Sequence, residues 1–220
     1  KMSKFEEYDL YVRNKEFLIS DGVITFTDTD GKLMALKPDV TLSIIKNSRD
    51  EAGCVQKVYY NENVYRVSED AHCFKEILQT GLECIGQIDT YCLCEVLSLA
   101  AQSLCAVSEE FVLDVSHLGI VSAVLDSLKV SPEGRAALLR CIGEKNPHGI
   151  MRLCSENGIP ADAAERVAAV ASLYGPITDM LPRLRGLSIN ETTDAALDEL
   201  ESLHQMLCAA GYGAHIHLDF

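Results

Sequence analysis

Polar and apolar residues alternate with a period of two from Val23 to Leu36, where "VITFT" and "LMAL" flank the Asp- and Gly-rich "DTDGK". This predicts a hairpin with its turn over Asp28 to Lys32. Pro38 ends the second strand, Asp39 or Thr41 can cap the next element, and "LSIIKN" predicts a short helix ending at Asn47. "VQKVYYNENVYRVSED" predicts two more extended pieces around a polar turn, and "FKEILQTGLECIG", Phe74 to Gly86, a further strand. Up to Gly86 the pattern is that of an antiparallel sheet.

Beyond Gly86 the period lengthens. Asp89 and Thr90 offer a cap, and Leu93, Val96, Leu97, Ala100, Leu104 and Val107 fall at helical spacing. "FVLDVS" returns to strand, while "SPEGRAALLRCI" and "NPHGIMRLC" each open with a capping residue followed by proline, as helices do. Ala161 to Leu173 and Thr193 to Ala210 predict two more helices, the second stopped by Gly211, and "AHIHLDF" predicts a closing strand. With no internal repeat or long linker, the expectation is a single α+β domain over residues 1–220. Within it 1–87 would be mostly sheet with a ligand pocket, 88–210 mostly helical, and 211–220 a returning strand.

The strand Phe74–Gly86 has an unusual face. Alternate residues place Lys75, Gln79, Gly81 and Glu83 together, with Gln79 and Glu83 about 13 Å apart and a glycine gap between them. Phe74, Leu78, Leu82 and Cys84 form the other face, which is expected to pack on helices. A carboxylate and an amide flanking a glycine floor could hold a small polar ligand, Glu83 accepting from an ammonium or imidazole N–H. The plainer alternative is a solvated sheet face with Gly81 at a bulge. Arg66, in "NVYRV", would be brought beside this strand by a hairpin through "SEDAHC", where its planar fork suits a carboxylate or phosphate; pairing with Glu69 or Glu76 is the alternative. His215, His217 and Asp219 alternate along the last strand, a spacing that permits zinc chemistry or simply a polar strand face.

Composition narrows the field. Among 220 residues, 48% are hydrophobic and no apolar run approaches a bilayer-spanning length. The N-terminal "KMSKFEEYDLYV" has no export signal, and a cytoplasmic location is expected. A net charge of -14 argues against a broad nucleic-acid surface. Nine cysteines without a CxxC pair read as reduced thiols, with Cys84, Cys92, Cys94 and Cys105 in apolar patterns as core residues. Nothing calls for a metal or a cofactor.

Several segments resemble, in order, the catalytic core of class II histidyl-tRNA synthetases and their paralogue, the regulatory subunit of ATP phosphoribosyltransferase. "KFEEYDLY" is similar to the end of the family's first, dimer-forming motif, "ALKPDVTLSIIKN" to its "LRPE/D-x-T" segment, "VYRVSED" to the start of its second motif, and "QTGLECIG" to "Q-x-G-x-E-x-x-G". "SHLGIV" and "HIHLDF" match more loosely. The resemblance implies a six-stranded antiparallel sheet flanked by helices, apparently truncated at both ends. It implies a histidine pocket in which Asp39 and Thr41 hold the ammonium, Gln79 and Glu83 line the strand, Gly81 makes room for the ligand, and Arg66 reaches a carboxylate or phosphate.

The departures point to regulation. The loop "VSEDAHC" is acidic where synthetases clamp ATP with basic residues, and Glu69 and Asp70 would repel a triphosphate. Lys75 and Lys37 stand where the family has arginines, and the third motif and the anticodon-binding domain would lie beyond Phe220. The function implied is a non-catalytic regulatory subunit of ATP phosphoribosyltransferase, with the catalytic subunit as partner, histidine as ligand, and a homodimer inside a larger hetero-oligomer. The alternative is a histidyl-tRNA synthetase core that activates histidine and would also meet tRNA.

Overall fold

The computed structural model describes residues 2–14, 22–48, 53–68 and 73–220. The chain forms two compact units, 1–92 and 93–220.

In the first unit, β1 (Phe5–Glu7), β2 (Thr25–Thr27) and β3 (Leu33–Leu36) make an antiparallel sheet in the order β1-β3-β2. The predicted hairpin is present: Asp28 Oδ1 accepts the N–H groups of Asp30 and Lys32, and Gly31 takes a positive φ of 80° that closes the turn. A short helix, α1 (Tyr8–Arg13), comes directly after β1. Glu6 is buried and accepts from Ser43 at 3.2 Å and Lys46 at 2.9 Å, which ties β1 to α2 (Thr41–Asn47).

The rest of this unit is a two-stranded ribbon of β4 (Val55–Ser68) and β5 (Cys73–Gly86), paired antiparallel without a bulge from Val55↔Gly86 to Ser68↔Cys73. The polar turn expected within residues 55–68 is absent. Asn61, Glu62 and Asn63 stay extended because they pair with Thr80, Gln79 and Leu78, and their side chains find partners across the ribbon: Thr80 Oγ1 donates to Asn61 Oδ1, and Asn63 Nδ2 to Glu76. A polar run is no turn signal when the neighbouring strand satisfies it.

The packing of β5 differs from the expectation. Toward Cys73 its apolar face lies outward, with Phe74 71% and Leu78 66% exposed, while Leu82 and Cys84 of that face are half-buried; Gln79, Gly81 and Glu83 lie on the inner face and are half-buried too. That inner face packs on a small core of Val40, Ile44, Tyr60 and Val64, supported by Val58 and Ile85. Pairing sets this outcome, because Val58, Tyr60, Glu62 and Val64 are register partners of Glu83, Gly81, Gln79 and Ile77 and must share their face. In place of one six-stranded sheet, the described residues of this unit form a three-stranded and a two-stranded sheet.

The unit boundary falls in the first turn of α3 (Thr90–Cys105), whose Cys92 N–H is capped by Asp89 at 2.8 Å. The second unit sets β6 (Leu113–Val115), β7 (Tyr174–Pro176) and β8 (Ile216–Asp219) in the order β6-β8-β7, with β6 parallel to β8. Its helices are α4 (Leu118–Asp126), α5 (Pro132–Gly143), α6 (Pro147–Glu156), α7 (Ala161–Ala171), α8 (Ile177–Gly186) and α9 (Glu191–Ala209). The caps expected from the sequence are present: Ser131 and Asn146 accept the Gly134 and Gly149 N–H groups, each with proline in the first turn. Two helices carry no readable signal. α4 is apolar on nearly every side, burying Ile120, Val121, Val124 and Leu125, and α8 contains Pro182. One apolar cluster, including Leu138, Ile150, Val167, Leu184, Leu197, Leu200 and Leu218, forms the core of this unit. Each such side chain contributes about 1.5–3 kcal/mol of transfer free energy.

None of the nine cysteines is in a disulfide. Cys92 is buried as expected and Cys84 and Cys94 are half-buried, but Cys105, at the last turn of α3, is exposed.

Candidate functional site

The candidate site is built where residues 37–41 run along the inner face of the ribbon. The Tyr65 N–H donates to the Lys37 carbonyl at 2.9 Å, and Arg66 Nε donates to the Pro38 carbonyl at 3.2 Å. At the other end Thr41 Oγ1 donates to Glu83 Oε1 at 2.6 Å. The extended chain before Pro38 thus turns into α2 against the ribbon, and each contact fixes one of the residues singled out from the sequence.

Asp39 does cap α2: its Oδ1 accepts the Leu42 N–H at 3.2 Å. Capping uses only half of the carboxylate, however. Oδ2 is buried with no hydrogen-bond partner among the described residues, and so is Gln79 Oε1. An unmet buried acceptor costs about 1–3 kcal/mol, more when charged, so each of the two marks a point poised for a donor.

Against Gln79 sits Tyr60, which the period-two pattern of β5 does not mark. It is the register partner of Gly81, and its phenol lies on that glycine: a Cβ built there would stand 2.4 Å from Tyr60 Oη and 2.5 Å from Cζ. Gln79 Nε2 donates to Tyr60 Oη at 3.2 Å. The glycine gap is therefore filled by a cross-strand aromatic ring, an arrangement known to compensate glycine in sheets. The signal lies in the neighbouring strand: with residues 55–68 taken as one strand, counting back from the hairpin places Tyr60 opposite Gly81. Burial pushes the Tyr60 phenol up, and the nearby Glu83 and Asp39 carboxylates push it further, partly offset by the Gln79 hydrogen bond.

The structure therefore brings Asp39, Thr41, Gln79, Gly81 and Glu83 together around a neutral phenol. Arg66 stands apart, four residues or about 13 Å along β4 from the Glu62–Gln79 pair, and joins the others through the Pro38 carbonyl. Glu76, its suggested alternative partner, is engaged by Asn63 and Tyr65. Lys37 is fully buried with its Nζ 3.4 Å from Glu62 Oε2. The acidic loop with Glu69 and Asp70 lies outside the described residues. Two carboxylates with two unmet acceptors suit a compact cationic group carrying several N–H donors, such as an ammonium.

The histidines of the last strand do not converge. His215 Nδ1 contacts the Phe111 carbonyl at 3.0 Å and its ring stacks on Phe111, His217 lies edge-on to Tyr174, and Asp219 pairs with Lys145. Among the described residues no group of three or more His, Cys, Asp or Glu could hold a metal ion.

A family model described as histidyl-tRNA synthetase matches residues 2–220. The chain belongs to the histidyl-tRNA synthetase family. Within that family, it is 25% identical over 97% of its length to the ATP phosphoribosyltransferase regulatory subunit of Alkaliphilus metalliredigens, covering 55% of that protein. It is 28% identical over 88% of its length to the regulatory subunit of Halothermothrix orenii, covering 47% of it. The histidine–tRNA ligase of Methanocaldococcus jannaschii is 30% identical over 64% of the chain and is 35% covered. The chain thus spans about half the length of the curated regulatory subunits it matches.

Among solved structures, a protein from Bacillus halodurans described as an ATP phosphoribosyltransferase regulatory subunit/histidyl-tRNA synthetase superimposes with a TM-score of 0.77 at 24% identity, covering all of this chain and 58% of its own. A chain of the ATP phosphoribosyl transferase complex from Thermotoga maritima gives 0.63 at 19% identity, covering 97% of this chain and 79% of its own. The fold is the α+β, class II synthetase-like fold of this family.

Proposed function

We propose that this chain belongs to a regulatory subunit of ATP phosphoribosyltransferase, a non-catalytic partner that reports histidine to the catalytic subunit at the first step of histidine biosynthesis. The observation that carries the reading is the acceptor-rich cluster of Asp39, Thr41, Gln79 and Glu83, in a chain several of whose matched relatives bear the regulatory-subunit name. Asp39 and Thr41 meet the amino group, Gln79 and Glu83 take the remaining N–H donors, and Arg66 serves the carboxylate end. Lys37, at a position where the resemblance implies an arginine, is buried against Glu62 and so is not free to meet a polyphosphate. This supports an amino-acid site over a nucleotide site. The protein acts in the cytoplasm, where this pathway runs, as a homodimer within a hetero-oligomer.

The regulation is a linkage effect. Histidine that binds two states of the complex unequally shifts the catalytic subunit between them, with a coupling of about 1–3 kcal/mol. Titration calorimetry with histidine and with ATP, alongside ATP–pyrophosphate exchange, tests the assignment. Expected are histidine binding, negligible ATP binding, no exchange, and a histidine-dependent change in rate when the catalytic subunit is added. Robust histidine-dependent exchange would instead identify a histidine–tRNA ligase.

A further inference from the structure

We propose that Tyr60 determines which amino acid the pocket accepts, its phenol forming the floor on which the ligand's side chain rests. This rests on the reading of the pocket as a histidine site. Gly81 leaves a hole in the inner face of β5, and a ligand could only use that hole if it were empty. It is not: the phenol lies so close to the glycine that a Cβ there would overlap Oη, Cζ and Cε1.

The ring is also held in place. Tyr60 is 8% exposed and packs with Val40, Ile44 and Val64, and Gln79 fixes its hydroxyl. Swinging it out would expose apolar area and break that hydrogen bond, so a ligand meets the ring as a rigid surface. Gln79 and Glu83 stand on the same face, two residues to either side of Gly81, and act as walls. A floor raised by one aromatic ring makes the pocket shallower than an open glycine notch would be, which favours a flat, unsubstituted imidazole over a bulkier group. The hydroxyl accepts from Gln79 and so retains its own proton to donate to a ligand acceptor.

The test compares L-histidine with L-histidine benzylated on a ring nitrogen, by titration calorimetry on the whole protein and its variants. The wild type should prefer histidine by about tenfold or more, a discrimination ordinary for a shaped apolar surface. Tyr60→Ala should abolish or invert that preference, because the missing ring leaves space for the benzyl group. Tyr60→Phe should keep it. An unchanged preference in folded Tyr60→Ala overturns the proposal alone, whereas a wild type that binds no histidine overturns the pocket reading beneath it. If Tyr60→Ala does not fold, Gly81→Ala serves: its methyl must lift the phenol into the pocket, and histidine affinity should fall about tenfold. Undiminished affinity in that variant sinks the proposal.

Discussion

Thr41 and Glu83, 42 residues apart in sequence, are joined by a 2.6 Å hydrogen bond from hydroxyl to carboxylate. That bond fastens the first residue of α2 to the ribbon, and with it the Asp39 turn to the strand that carries Glu83. Thr41→Val keeps the shape and removes the donor. Stability should fall by about 1 kcal/mol, the net worth of a half-exposed hydrogen bond to a charged group, with a larger loss in histidine affinity. Denaturant unfolding and calorimetry on the same variant would show both, and equal affinities for the two proteins would refute the assigned role.

Asp39 holds a buried negative charge with one oxygen unpaired among the described residues. Asp39→Asn retains an acceptor for the Leu42 N–H and removes the charge. The protein should be as stable as the wild type or up to about 1 kcal/mol more so, because sites kept for ligands carry strain that substitution relieves. Histidine binding should weaken tenfold or more, since a charged partner for the ammonium is lost, roughly 1.4 kcal/mol or above. Retained binding at unchanged stability would mean that Asp39 is only a helix cap.

Tyr60 supplies a pH signature. Burial, then the carboxylates of Glu83 and Asp39, hold its phenol above the ordinary tyrosine value. A group whose folded value is raised contributes its stability in full below the unfolded value of about 10. That contribution is lost as pH climbs through the folded value. Subtracting the ultraviolet titration curve of Tyr60→Phe from that of the wild type should isolate one phenol with a midpoint above about 10. A midpoint at or below that figure would contradict the packing described.

The second unit should behave as an ordinary core. Leu200, on α9, is almost fully buried within the large cluster. Leu200→Ala should cost about 2–5 kcal/mol by lost transfer energy and a residual cavity. Asn190→Ala, which removes the capping box at the start of the same helix, should cost about 1 kcal/mol. Thermal unfolding followed by circular dichroism ranks the two, and a reversed order would mean that the α9 face is misplaced.

How much of the fold is legible in the chain depends on where each signal resides. Ser131 before Pro132, Asn146 before Pro147 and Asp89 before α3 mark helix starts because the capping hydrogen bond closes within three residues. The Asp28–Lys32 turn is equally local. α4 is not legible because a helix buried on most sides loses its 3.6-residue period, and α8 because Pro182 imitates a break.

The site divides the same way. Asp39, Thr41, Gln79, Gly81 and Glu83 are recognisable as residue types at strand and helix-cap spacing, and these local preferences the chain settles for itself. Which face of β5 turns inward, that Asn61 to Asn63 continue a strand, and that a tyrosine rather than a ligand covers Gly81 are decided by pairing between β4 and β5. Register is a contact between residues distant in sequence, and its free energy is shared along the ribbon. No single segment carries it, so only the folded chain could fix it.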